Sequence, residues 1–122
     1  MSTAAVKHLE RRAAKQTVEQ AREALGLNYV ELAAALGVDR RTILRYRTNS
    51  SAPSPSVQAR MEKMREISYL LEQVFAGRQA QTDWLYSPVP MLRDRRPIQL
   101  LREGELDRVL SVLAGIYTGA TS

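Results

Sequence analysis

Four arginines fall within eight positions, Arg40, Arg41, Arg45 and Arg47, with Thr42 among them. A guanidinium presents its donors in a rigid plane. It can make two parallel hydrogen bonds to guanine in the major groove of DNA, or hold a phosphate. A threonine hydroxyl can meet a base edge as well. If this segment is a helix with Ile43 and Tyr46 turned inward, all five residues remain outside. The reading puts Arg41, Thr42 and Arg45 near base edges and Arg40 and Arg47 on phosphates. The same arginines would also suit the solvated face of a plain three-helix core.

Residues for catalysis are fewer. His8 is the one histidine of the chain. It sits in an N-terminal segment with a weak apolar stripe, where a solvated imidazole is the simpler expectation. Asp94, Glu103, Glu105 and Asp107 lie among arginines near expected helix starts, so capping and surface pairing account for them. There is no glycine-rich phosphate loop and no metal-ligand spacing. Cysteine is absent, which excludes disulfides and thiolate zinc sites. No enzyme activity, cofactor or metal is expected.

The elements that must position the arginines read as all-α. Ala, Leu, Glu, Arg and Gln dominate, and no stretch alternates like a strand. A first helix is expected from Ala4 to Leu25, stopped by Gly26. Asn28 caps the next, with Glu31 as its capping-box partner, and Gly37 ends it. Asp39 caps the arginine-bearing helix. Counted from Tyr29, small Ala33 falls at position five and Gly37 at position nine. Leu32, Leu36, Val38 and Ile43 fall at four, eight, ten and fifteen. Close helix approach, a tight turn and a shared apolar set are what a helix-turn-helix needs. One short reading helix grips a half-site weakly, so a homodimer is expected.

Asn49 to Ser54 is the clearest break in the chain. Ser54 and Pro55 then open a helix as cap and first-turn proline. Val57, Met61, Met64, Ile67, Leu71 and Val74 give it one apolar face, and Gly77 is expected to stop it. Prolines at 88, 90 and 97 cut the remaining chain into short pieces. A last helix is expected from Glu105 to Tyr117, burying Val109, Leu110, Leu113 and Ile116. The expected organisation is a DNA-binding region over 1–53, a connecting helix over 54–78 and a C-terminal domain over 79–122.

Charge matches that division. The net charge of the 122 residues is +5. Residues 1–78 hold 13 Lys and Arg against 8 Asp and Glu, and residues 79–122 hold 5 against 5. The positive field belongs to the first part, as suits a polyanion-binding head. Hydrophobic residues make up 44% and charged residues 25%, ordinary for a globular protein. Apolar runs are too short to span a bilayer. The N-terminus lacks a secretory pattern, so no membrane association and a cytoplasmic location are expected. About 40 residues cannot bury enough apolar surface alone. The C-terminal part must pack on the connecting helix, on a twin subunit or on a partner.

The residues of that part carry a resemblance. Trp84, Leu85, Ser87-Pro88, Leu92, Pro97, Leu100-Leu101, Gly104, Val109, Leu113 and Gly119 occur in this order. This segment resembles the Xre/MbcA/ParS toxin-binding domain of bacterial type II antitoxins. Many members have a glycine shortly before the proline matching Pro97; here Asp94-Arg95-Arg96 stand instead. The resemblance implies a RES-domain toxin partner that destroys NAD, with the antitoxin blocking access to the toxin's active site. It also implies that the helix-turn-helix binds promoter DNA of the antitoxin's own operon. By analogy residues 102–122 would face the toxin. Arg93, Arg95, Arg96, Arg102 and Arg108 would pair with acidic toxin groups, and Tyr117 would anchor. Trp84 is expected in the core, as are Val109, Leu113 and Ile116. Two alternatives stay open: a stand-alone regulator whose tail only dimerises, and a protein-binding antitoxin that has lost DNA binding.

Overall fold

The computed structural model describes residues 2–119. Helix α1 runs Thr3–Leu25, α2 Tyr29–Leu36, α3 Arg40–Arg47 and α4 Pro55–Val74. Then come α5 Gly77–Leu85, a 3-10 turn at Pro90–Leu92, α6 Pro97–Arg102 and α7 Leu106–Thr118. The fold is all-α among the described residues, as the composition implies.

Local chemistry sets the boundaries. Ser2 accepts the Ala5 N–H at 3.1 Å and opens α1. Asn28 and Glu31 close a reciprocal capping box on α2, at 2.8 and 3.0 Å. Asp39 caps α3 and Ser54 caps α4. Gly26 and Gly37 end α1 and α2 in the left-handed conformation.

Two boundaries differ from expectation. Gly77 does not stop α4, which already ends at Val74; it opens α5, an element the sequence reading lacks. Phe75 turns extended there and half-buries its ring against Trp84, with ring centroids 5.5 Å apart. Trp84 is itself half-buried, not sealed in the core. The second difference is the turn before Pro97. Arg93 and Asp94 take φ of 57° and 62°, the left-handed region that glycine enters most easily. The turn holds through Val89, whose carbonyl accepts the N–H groups of Leu92 and Asp94 and whose N–H donates to Arg95.

One apolar core runs through all of it. From α1 to α3 it holds Val18, Leu25, Leu32, Leu36 and Ile43. Helix α4 adds Met61, Met64, Ile67 and Leu71, and the C-terminal part adds Leu92, Ile98, Leu100, Leu106, Val109 and Leu113. Helix α4 lies at the centre, packed on α1, α2, α5 and α7, with α7 covering it most extensively. So the C-terminal part meets its need for cover by lying on α4. Leu110 and Ile116 are only half-buried there.

Candidate nucleic-acid and protein interfaces

Helix α3 buries Ile43 and Tyr46 and nothing else. At about 100° per residue, the side chains aimed opposite those two are Arg41, Leu44, Arg45 and Thr48. Arg40 and Arg47 fall on one flank and Thr42 on the other. All four arginines are exposed. Thr42 is half-buried and engaged with the cap: its backbone N–H donates to Asp39 Oδ1 at 2.7 Å. The Thr42 hydroxyl and N–H, helped by the Arg41 and Arg45 charges, hold the Asp39 carboxyl below its ordinary value. The cap therefore stays charged at any pH where DNA would be read.

Leu44 is 37% exposed on that outward face. An exposed aliphatic group between arginines can meet a thymine methyl. The spacing from Arg41 and Arg45 could have revealed it. A second feature was not legible from spacing. The Tyr29 ring has the Arg22 guanidinium 4.2 Å and the Arg47 guanidinium 4.4 Å from its centroid. Arg22 also donates to the Tyr29 hydroxyl at 2.6 Å. The stack joins α1, α2 and α3, which are separate in the sequence.

The C-terminal candidates do not gather into one patch. Arg95 pairs with Glu103 at 2.5 Å and Arg108 with Glu105 at 3.1 Å. Arg96 donates from Nε to the Tyr86 carbonyl at 2.8 Å. Arg102 pairs with Glu31 of α2, so it points back at the helix-turn-helix. The side chains of Arg93 and Tyr117 have no such partner among the described residues, and Tyr117 is 52% exposed. Nine residues separate Arg108 from Tyr117, which sets them on opposite faces of α7. A shallow groove of about 270 Å³ lies beside Arg108, lined by Met91, Leu92, Asp107, Ser111 and Val112. Residues 120–122, included in the expected partner-facing stretch, lie outside the described residues.

Both surfaces belong to one packed body. Arg60 of α4 donates from Nη1 to the Ala35 carbonyl at 3.0 Å and to the Gly104 carbonyl at 3.4 Å. Gly104 has φ of 79°, and a Cβ there would sit 3.3 Å from the Ala34 carbonyl. The α6–α7 turn thus presses on the end of α2. Glycine takes that conformation without strain and keeps the contact free of crowding.

Known proteins share this arrangement. Residues 70–119 match the family described as antitoxin Xre/MbcA/ParS C-terminal toxin-binding domain. Residues 18–64 match a helix-turn-helix family. The mycobacterial cidal antitoxin MbcA of Mycobacterium tuberculosis is 30% identical over 103 residues, 84% of this chain and 90% of that protein. Its Mycobacterium bovis counterpart matches to the same extent. The crystal structure of the M. tuberculosis MbcT–MbcA toxin–antitoxin complex contains a chain with a TM-score of 0.61 and 28% identity. The match covers 86% of this chain and 94% of that one. With the fold, the helix-turn-helix and the C-terminal domain all matched, the chain belongs to the Xre/MbcA/ParS family of antitoxins.

Proposed function

We propose that this antitoxin neutralises a RES-domain toxin that degrades NAD, by covering the toxin's active site with its C-terminal segment. We further propose that it represses its own operon through α3, as a homodimer on paired half-sites. The match of residues 70–119 to a toxin-binding domain carries the first part. The arginine-rich outward face of an eight-residue helix supports the second.

The decisive experiment is co-expression with the product of the adjacent gene. The two proteins are expected to co-purify, and the cells to keep their NAD pool. A toxin that stays lethal with this chain present would end the reading. Within such a complex, Arg93 and Tyr117 are free to engage at once, whereas Arg95, Arg96, Arg102 and Arg108 must first give up internal partners. Tyr117→Ala is therefore expected to weaken the complex roughly 30-fold, the size of a typical aromatic anchor of about 2 kcal/mol. Arg95→Ala is expected to change it less than about 5-fold. Titration calorimetry distinguishes the two.

A further inference from the structure

Helix α1 is longer than its packing requires. It has 23 residues, yet its first buried position is Ala14. The turns before it make almost no core but carry charge. Among residues 2–17, Lys7, Arg11, Arg12 and Lys15 stand against Glu10 alone. Lys7 is paired with Glu10 at 3.3 Å. The side chains of Arg11, Arg12 and Lys15 have no ion-pair or hydrogen-bond partner among the described residues.

Those cations are ordered in space. Arg11, Lys15 and Arg22 recur at spacings of four and seven, so they share one side of α1, with Arg12 beside them. The buried positions Ala14, Thr17, Val18 and Ala21 form the adjoining face, so the stripe runs along its edge, with Arg11 and Lys15 half-buried and Arg12 and Arg22 exposed. From Arg11 to Arg22 the stripe is about 16 Å long, at 1.5 Å per residue. It also reaches the reading helix in two places. Arg22 shares the Tyr29 ring with Arg47 of α3. Arg12, Lys15, Gln16 and Glu19 surround one depression with Asn49, just past the end of α3. Helix α1 also packs directly on α3.

We propose that the α1 stripe, Arg11, Arg12, Lys15 and Arg22, is a second DNA-contacting surface that holds backbone phosphates flanking the site read by α3. It rests on α3 being a DNA-reading helix. It adds the ligand class and residues of a site outside the helix-turn-helix. Phosphate is the fitting ligand because the stripe offers charge with no base-reading geometry. Such contacts position a protein on DNA without choosing sequence. Glu19, the one acid within the stripe, would face the same backbone and oppose it.

The test is salt-dependent binding to two fluorescein-labelled 30-base-pair duplexes, one from upstream of the gene and one of random sequence. Each phosphate contact adds about 0.9 to the slope of log affinity against log salt. The R11Q/R12Q/K15Q variant keeps helix-forming side chains and removes three cations from outside the core. It is expected to flatten the slope by about 2.7 and to weaken both duplexes alike, on the order of 100-fold at 0.1 M salt. Glu19→Lys is expected to strengthen both and steepen the slope by about one, a gain that misfolding cannot mimic. A parent that binds with a slope unchanged in both variants overturns the α1 site and leaves the α3 reading standing. A parent that binds neither duplex overturns both.

Discussion

Replacing Leu113 by alanine is expected to lower stability by about 3 kcal/mol, within the usual range for a buried leucine. The side chain is fully buried, in the helix that covers α4 most extensively. Met64, Ile67 and Leu71 of the helix it covers are sealed from solvent as well. For a domain of this size the melting temperature should fall by roughly 10–15 °C, measured by circular dichroism. Ser111→Ala, on the exposed side of α7, should stay within about 0.5 kcal/mol. A toxin bound to the folded form would restore about 2.7 kcal/mol when present at a hundred times its dissociation constant. A loss below about 3 °C for Leu113→Ala would mean that α7 is not part of the core.

The same packing changes how the inhibitory surface must be mapped. A chain cut before Arg102 loses Leu106, Val109, Val112 and Leu113 together. Helix α4 would then expose its central face, and failure to rescue cells would report unfolding. Surface substitutions such as Tyr117→Ala leave the core in place and read the interface directly.

What the sequence revealed and what it hid separate along one physical line. Caps, glycine stops and apolar periodicity are local, so α1 to α4 and α7 could be located from them within a residue or two. The four exposed arginines of α3 were legible for the same reason, since Ile43 and Tyr46 fix its orientation; Thr42, expected outside with them, is half-buried on a flank beside the Asp39 cap. Helix α5 was not, because Gly77 reads as a stop while its backbone starts the next helix. The arginines of the C-terminal part read alike in one dimension. Only the fold shows Arg102 turned towards Glu31 and Arg95 held by Glu103, leaving Arg93 outside. The turn before Pro97 is a similar case. Val89 anchors it at both ends, so Arg93 and Asp94 can adopt the left-handed backbone that glycine enters most easily.

Arg41→Ala combined with Arg45→Ala is expected to abolish selective binding to DNA upstream of the gene. Each good bidentate contact to guanine discriminates by about 1–3 kcal/mol, so losing two costs about 30-fold to 20,000-fold. Both side chains are exposed on the face opposite the buried pair, and no ion pair or side-chain hydrogen bond among the described residues holds them. The fold should therefore be undisturbed, and its melting temperature is the control. Arg41→Lys with Arg45→Lys separates charge from geometry. Lysine keeps the cation but cannot form the planar fork, so that variant should bind random and upstream duplexes nearly equally while keeping most of its salt dependence. Arg40→Ala should weaken both duplexes uniformly and lower the salt slope by about 0.9, the signature of one phosphate. If the double alanine variant bound the upstream duplex as tightly as the parent, α3 would not be the reading helix. Its arginines would then be solvated surface, and selectivity would have to reside elsewhere on the protein.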